Sequence, residues 1–84
     1  MRYTIIIAPR AKKQIDKFPS RIKQKIAAAL EELSTNPFLG KALKVDLKGL
    51  YSYRAGNYRV IYSILRHRLM IQIIKVMHRK DVYR

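Results

Sequence analysis

Two stretches in the second half of this sequence decide its fold. Residues 49–62 read GLYSYRAGNYRVIY, and residues 75–83 read KVMHRKDVY. The first stretch contains two runs rich in aromatic and apolar residues, separated by Gly56 and Asn57. That pair suits a two-residue turn between antiparallel strands. The stretch therefore predicts a tight β-hairpin.

A two-residue turn also sets the pairing of the two strands. Ala55 then faces Tyr58, and Arg54 faces Arg59. Like charges directly opposite each other destabilise a sheet. A phosphate bound between the two guanidinium groups would compensate the repulsion, because their planar forks bind phosphate through paired hydrogen bonds. The pattern indicates a phosphate clamp, with two solvent-exposed strand arginines as the alternative.

The remaining residues predict a single α+β domain over residues 1–84, in the order β-α-α-β-β-β. We expect a strand over 2–8, helices over 10–18 and from an N-cap at Ser20 to about Ser34, and strands over about 50–55, 58–65 and 69–77. The sheet is expected to be mostly antiparallel, with the helical hairpin on one face and the first strand burying its isoleucines in it. The opposite face, with Ser52, Arg54 and Arg59, is expected to be open and basic.

The charge of the chain is its most extreme bulk property. Nineteen Lys and Arg residues stand against five Asp and Glu residues, which gives a net charge of +14. Such a surface favours nucleic acid, ribosomes or a strongly acidic protein as partners. Basic residues at three-to-four spacing along the first helix and its exit suit sequence-independent phosphate contact, with a solvated helix face as the alternative. The predicted RNA-binding residues are Arg10, Lys13, Lys17, Arg21, Lys48 and Lys80.

Composition also excludes several classes of function. There is no cysteine, so neither disulfides nor thiolate chemistry are available. No apolar run approaches the ~20 residues of a membrane span, and residues 5–7 are too short for a signal peptide. We therefore expect a cytoplasmic protein with no membrane partner. The adjacent Glu31 and Glu32 point about 100° apart on a helix, so we expect no clustered carboxylates, no metal site and no cofactor.

Taken together, these segments resemble the RelE/ParE toxin superfamily of prokaryotic toxin–antitoxin systems. The resemblance covers essentially the whole chain and rests on an ordered set of pieces. These are the opening strand with residues 8–11, the helix end at 30–37, the segment at 43–50 that leads into the hairpin, the hairpin itself at 53–62 and the terminal residues 78–83.

RelE-type members of that superfamily are ribosome-dependent endoribonucleases that cleave mRNA in the ribosomal A site. By resemblance, Arg59 matches the central-strand arginine that holds the scissile phosphate. Arg79 matches an arginine after the last strand, and Tyr83 matches a near-terminal tyrosine. Arg54 matches a basic position in the preceding strand. The resemblance therefore implies a catalytic role for these four residues.

Two further positions bear on proton transfer. His78 lies next to Arg79, where related toxins often carry histidine, and is expected to assist. Ser52 matches a position where some members carry a second lysine, so the identity of the general base stays open. The sequence ends one residue after Tyr83, so we expect it to lack the C-terminal helix of longer members.

The resemblance also implies partners. We expect a cognate acidic, RelB-like antitoxin that folds on binding, a toxin–antitoxin hetero-oligomer, and the ribosome with its mRNA. Two other functions stay open. One is inhibition of DNA gyrase, as in ParE-type members, and the other is ribosome or nucleic-acid binding without catalysis.

Overall fold

The computed structural model describes residues 2–43 and 49–82. The elements along the chain are β1 (Thr4–Ile7), α1 (Pro9–Asp16), α2 (Ser20–Thr35), a 3-10 turn (Pro37–Leu39), β2 (Lys41–Ala42), β3 (Leu50–Ala55), β4 (Tyr58–Leu65), a second 3-10 turn (Arg66–Arg68), β5 (Met70–His78) and α3 (Arg79–Val82). The predicted order β-α-α-β-β-β is confirmed. The two-residue β2 and the single turn of α3 were not expected.

The strands form one sheet in the order β1-β5-β4-β3-β2. β1 pairs with β5 in parallel, and the other pairs are antiparallel. The sheet is therefore mostly antiparallel, as predicted. Among the helices that the described ranges contain, none has both the length and the apolar composition needed to cross a bilayer.

Prolines set the start of both long helices. α1 begins at Pro9, where the missing N–H costs nothing because the first helical N–H groups have no intrahelical partner. α2 begins at Ser20, and Pro19 occupies the N-cap position. The Pro19 carbonyl accepts hydrogen bonds from the backbone N–H groups of Ile22 and Lys23, both at 3.0 Å. The prediction that Ser20 caps this helix was wrong by one residue, and its hydroxyl makes no cap.

The hydrophobic core lies between the two helices and one face of the sheet. Its buried members are Ala11, Ile26, Ala29, Leu33, Ala55, Val60, Tyr62, Ile71, Ile73 and Val76. The helical residues recur every three or four positions and the β4 residues every second one, as one buried face of each element requires. The helical hairpin therefore covers one face of the sheet, as predicted.

β1 buries less than the sequence predicts. Ile5 packs against the core, but Ile6 is 41% exposed and Ile7 is 37% exposed. Successive side chains of a strand point to opposite faces, so Ile6 lies on the face that the helices leave uncovered. Ile7 is the last residue of a four-residue edge strand. The expectation that the strand buries its isoleucines holds only for Ile5.

β5 contains an irregularity that the sequence pattern did not reveal. Ile61 of β4 pairs with Lys75, whereas the next residue, Tyr62, pairs with Ile73, so Ile74 is an extra residue in β5. A bulge of this kind shifts the alternation of side chains by one position. The core side of β5 therefore carries Ile71 and Ile73 before the bulge and Val76 after it.

The 3-10 turn after α2 is fastened to the sheet by the hydroxyl of Tyr62. This hydroxyl donates to the Pro37 carbonyl at 2.7 Å and accepts from the Gly40 N–H at 3.1 Å. Burial raises the pKa of Tyr62 to about 12. A Cβ at Gly40 would lie 2.3 Å from the Tyr62 hydroxyl and 2.8 Å from the Ser52 carbonyl oxygen, so only glycine fits this close approach.

The face opposite the helices is less open than predicted. Ser52 pairs with Lys41 on one side and Ile61 on the other. Ser52 is only 3% exposed and Ile61 only 2% exposed. Larger side chains flank the small serine on both neighbouring strands, which accounts for its burial. The prediction that this face is open was therefore wrong at Ser52 and Ile61. It is correct only nearer the hairpin turn, where Arg54 is exposed.

Candidate functional site

The β3–β4 hairpin places its two arginines side by side. Arg54 is paired directly with Arg59, and Ala55 with Tyr58, as the turn length predicts. Gly56 has a φ of 64°, and Asn57 keeps a negative φ. A positive φ at only the first turn residue matches the type II′ pattern, in which glycine is favoured at that position. The turn chemistry therefore sets the register that brings the two charges together.

The Arg54 side chain is held against this turn. Its Nε–H donates to the Gly56 carbonyl at 3.0 Å. A guanidinium has five N–H donors in a fixed planar arrangement, so further donors remain for a ligand. The hydrogen bond therefore orients the charge of an exposed side chain without using up its capacity to bind an anion.

The start of α3 is fastened to the same turn. The backbone N–H of Arg79 donates to the Asn57 carbonyl at 2.8 Å. This residue follows His78, which is the last residue of β5 and is paired with Tyr58. The contact brings the side chains of Arg79 and Lys80, far away in sequence, next to the hairpin arginines.

These contacts create a cavity of about 300 Å³, which we call the arginine cavity. Its lining residues are Arg54, Gly56, Tyr58, Arg59, Arg79 and Lys80. Four of them are cationic, and none of them is acidic. Cations converging on one pocket favour a ligand that carries concentrated negative charge, and arginines in particular suit the tetrahedral oxygens of a phosphate.

A second cavity of about 430 Å³ is also lined in part by Tyr58. We call it the aromatic cavity, and it is lined mainly by residues of α1, by the two residues that follow this helix, and by the C-terminal half of β5. Its rings and charges come from Arg10, Lys17, Phe18, Tyr58, Lys75 and His78. Tyr58 lines both cavities. The two cavities are therefore neighbours that share one wall.

The structure brings together three of the five residues that the sequence predicts to be catalytic. Arg54, Arg59 and Arg79 line the arginine cavity together. His78 lines the aromatic cavity instead, with its ring edge-on to Tyr58 at a centroid distance of 5.2 Å. Its Nδ1 accepts a hydrogen bond from the Lys80 N–H at 3.2 Å. Tyr83 lies outside the described residues.

The predicted RNA-binding residues separate into groups. Lys80 lines the arginine cavity, and Arg10 and Lys17 line the aromatic cavity. Lys13 and Arg21 are exposed and line neither of the two. Lys48 lies outside the described residues. The basic stripe predicted along the first helix is thus divided, with only part of it facing a cavity.

Sequence reasoning missed three residues near these cavities. Tyr58 was not among the predicted site residues, although its place beside the turn could have indicated a wall of the site. Lys75, which follows the bulge, is half-buried and lines the aromatic cavity. Lys25 of α2 lies over the hairpin, with its Nζ 3.6 Å from where a Cβ on Gly56 would be.

The acidic side chains that the structure describes are engaged elsewhere. Lys12 forms an ion pair with Asp16 at 3.4 Å, and Arg2 forms one with Glu31. The Tyr53 hydroxyl donates to Glu32 at 3.1 Å, and partial burial, with the hydrogen bond to this carboxylate and its charge, raises the pKa of Tyr53. Within residues 2–43 and 49–82, no three His, Asp or Glu side chains come together in a group that could hold a metal ion.

Comparisons with known proteins agree with this architecture. A family model described as the ParE toxin of a type II toxin–antitoxin system, parDE, matches residues 5–83. The chain is 37% identical over 89 residues to the toxin RelG of Mycobacterium tuberculosis, and the alignment covers 100% of this chain and 99% of RelG.

Two solved toxin–antitoxin complexes contain a chain with the same fold. The RelBE complex from Mycobacterium tuberculosis matches with a TM-score of 0.86 and 32% identity, over 93% of this chain and 99% of that one. The archaeal RelE–RelB complex from Pyrococcus horikoshii matches with a TM-score of 0.79 and 27% identity, over 94% and 97% of the two chains. With a family match over nearly its whole length and a curated toxin relative 37% identical, this chain belongs to the RelE/ParE superfamily of type II toxin–antitoxin toxins.

Proposed function

We propose that this toxin is a ribosome-dependent, metal-independent endoribonuclease that cleaves mRNA in the A site and thereby inhibits translation. The observation that carries the proposal is the arginine cavity, in which Arg54, Arg59, Arg79 and Lys80 converge, with no acidic side chain among the lining residues that the structure describes. The RelE and RelG names of its relatives support the RelE branch of the superfamily.

The proposed reaction consumes no reagent besides the RNA itself, because the nucleophile is the 2′-hydroxyl of the RNA. The 2′-oxygen attacks the adjacent phosphorus, and the bond from phosphorus to the 5′-oxygen of the next nucleotide breaks. One proton leaves the 2′-hydroxyl and one reaches the departing 5′-oxygen, which yields a 2′,3′-cyclic phosphate and a free 5′-hydroxyl.

The arginines act on the charge of the pentavalent phosphate. Arg54 and Arg59 hold its non-bridging oxygens from two neighbouring strands, and Arg79 approaches from the start of α3. Fixed cations stabilise charge that develops in a transition state more than they stabilise the ground state. Because arginine keeps its proton, the proton transfers fall to other groups, and Tyr83 remains a candidate by resemblance alone.

The test is cleavage mapping on ribosomes programmed with a defined mRNA. We expect discrete cuts in the A-site codon with the wild-type toxin and a loss of roughly 10²–10³ in rate for Arg59→Ala, the usual effect of removing one transition-state contact. Arg68→Ala is the matched control, because this exposed arginine lies in the 3-10 turn before β5 and lines neither cavity. Cleavage by Arg59→Ala at the wild-type rate would refute the proposal.

The route of cleavage is tested by a single 2′-deoxynucleotide on the 5′ side of the cut. Without the 2′-hydroxyl the proposed reaction has no nucleophile, so we expect no cut at that position. Continued cleavage there, leaving a 5′-phosphate, would indicate an activated water instead.

We also propose that a RelB-like acidic antitoxin neutralises this toxin in a hetero-oligomer. The structural relatives named above are toxin–antitoxin complexes, and a chain with a charge of +14 favours an acidic partner. We expect the affinity of the complex to fall as salt rises, because salt screens exposed charges. A salt-independent affinity would exclude electrostatics as the main attraction.

One observation favours a second function. The family model that matches residues 5–83 is described as a ParE toxin, and ParE-type members inhibit DNA gyrase. Induced DNA breaks in cells with intact mRNA would select this function over cleavage.

A further inference from the structure

We propose that the aromatic cavity is a second nucleotide subsite, which holds one nucleotide of a bound RNA next to the arginine cavity. The proposal rests on the proposed function only for its ligand class, RNA. It concerns binding, and it assigns no step of the cleavage reaction to this cavity.

The cavity exists because β1 ends before its partner strand β5 does. β1 is last paired at Ile7 with Ile73, so the part of β5 from Lys75 to His78 extends beyond it, beside α1. The Gln14 side chain accepts a hydrogen bond from the backbone N–H of Val76 at 2.8 Å. This contact ties α1 to β5 just past the bulge. The volume of about 430 Å³ is within the usual range of small-molecule sites.

Three rings form one side of the cavity. Phe18 and Tyr58 have centroids 4.8 Å apart at an angle of 46°, and Tyr58 and His78 have centroids 5.2 Å apart at 83°. Phe18, Tyr58 and His78 are all half-buried, so each ring has a supported side and an accessible part. Single-stranded RNA bases stack on aromatic side chains in this kind of setting.

Three cations, Arg10, Lys17 and Lys75, also line the cavity, and none of the described residues that line it is acidic. A phosphate group satisfies the cations and a base satisfies the rings, so a nucleotide uses both parts of the site. An acidic peptide segment would use only the cations, and for that reason we favour RNA.

The shared wall links this subsite to the arginine cavity. Tyr58 lines both, and its neighbour Arg59 lies in the arginine cavity. A strand of RNA with its scissile phosphate at the arginines would therefore place an adjacent nucleotide within reach of the aromatic cavity.

The test is an NMR titration of the full chain with adenosine 5′-monophosphate, which contains no bond for the proposed nuclease to cleave. We expect saturable shifts of the amide signals of Phe18, Lys75 and His78. Ribose 5-phosphate, which lacks the base, should bind these positions at least tenfold more weakly. Shifts confined to Arg54, Gly56 and Arg59, equal affinity for ribose 5-phosphate, or tighter binding of a poly-glutamate peptide would each overturn the proposal.

Variants assign the binding to the cavity. Lys75→Gln and Lys17→Gln should each weaken binding of the nucleotide fivefold or more. Lys12→Gln is the matched control, because this exposed α1 lysine forms its ion pair with Asp16 and lines neither cavity. Thermal unfolding shows whether each variant is folded. If one of the two variants has a folding defect, the other still tests the proposal. Equal weakening by Lys12→Gln would show a general charge effect and overturn the proposal.

The ribosome assay separates this inference from the proposed function. Lys75→Gln should raise the toxin concentration needed for half-maximal cleavage and leave the rate at saturation unchanged, whereas Arg59→Ala should lower that rate. A lower saturating rate for Lys75→Gln would place this lysine at the reacting phosphate and overturn the subsite. If the wild-type toxin does not cleave at all, the proposed function fails and the nucleotide titration alone decides on the subsite.

Discussion

Arg54 and Arg59 lie directly opposite each other on the two strands of the β3–β4 hairpin. Like charges in this arrangement cost a sheet ~0.2–1 kcal/mol. Both residues line a cavity to which α3 adds Arg79 and Lys80. The repulsion is thus concentrated where a phosphate would relieve it, which is the physical basis of the proposed function.

The cost of this pair should be measurable in the absence of ligand. Arg54→Gln removes the repulsion, so its free energy of unfolding should rise relative to that of wild type. This difference between variant and wild type should be ~0.2–1 kcal/mol larger at low salt than in 1 M salt, where the Debye length is only ~3 Å. Urea unfolding at both salt concentrations measures the difference. Arg68→Gln changes the net charge equally and serves as control. The same salt dependence in both variants would mean that the pair carries no specific repulsion.

Tyr62→Phe should destabilise the fold. The substitution leaves the Pro37 carbonyl and the Gly40 N–H without the hydroxyl that now bonds both, at a cost of ~1–3 kcal/mol. Urea unfolding measures it. Tyr51→Phe is the control, because Tyr51 stacks on Tyr62 at 5.5 Å and should tolerate the change within ~0.5 kcal/mol. Equal losses in the two variants would contradict this account.

The same hydroxyl predicts a pH dependence. The pKa of Tyr62 is raised from 10 to about 12 by burial. Between these two values the unfolded chain has released the proton and the folded chain still holds it. The free energy of unfolding therefore falls as pH rises from about 10 to about 12, and the contribution is complete below pH 10. Stability measured over this range should fall less steeply in Tyr62→Phe than in wild type, and identical slopes would exclude the tyrosine as the cause.

Gly40→Ala should be strongly destabilising for a steric reason. The added Cβ would lie 2.3 Å from the Tyr62 hydroxyl and 2.8 Å from the Ser52 carbonyl, and overpacking of this kind costs ~1–3 kcal/mol. Because Tyr62→Phe removes the nearer atom, the double variant should lose less stability than the sum of the two single variants. Strict additivity in urea unfolding would show that the hydroxyl is not the atom in conflict.

Gln14→Leu should loosen β5 at its bulge. It removes the acceptor for the Val76 N–H, so we expect faster amide exchange at Val76 and a loss of ~1–3 kcal/mol in the free energy of unfolding. Gln14→Glu keeps an acceptor and should restore protection at Val76. Gln24→Leu, on the exposed side of α2, is the matched control. Unchanged exchange at Val76 in Gln14→Leu would show that the side chain does not hold the strand.

Local patterns in the sequence predicted the parts of the fold that depend on neighbours along the chain. The Gly56-Asn57 pair set the hairpin register, because a two-residue turn admits one pairing of the strands. The helix predicted from Ser20 to about Ser34 agrees with α2, because the apolar side chains of one helical face recur every 3.6 residues. These features require no knowledge of distant segments.

The candidate site was only partly predictable for the same reason. The pairing of Arg54 with Arg59 follows from the turn alone. The approach of Arg79 depends on the hydrogen bond that its backbone N–H donates to Asn57, 22 positions earlier in the chain, and the role predicted for Arg79 came from the family resemblance. His78 was grouped with Arg79 because they are adjacent in sequence, yet the last pair of the strand places it beside Tyr58 and toward the aromatic cavity.

The sequence by itself determined the order of the longer elements, the hairpin and the excess of positive charge, since each follows from local conformational preference or composition. Only the tertiary structure decided which charges share a cavity. The bulge at Ile74 changed the direction of the strand's side chains, and the end of β1 at Ile7 left room beside α1. Both depend on contacts between segments far apart in the chain, which no local pattern of residues encodes.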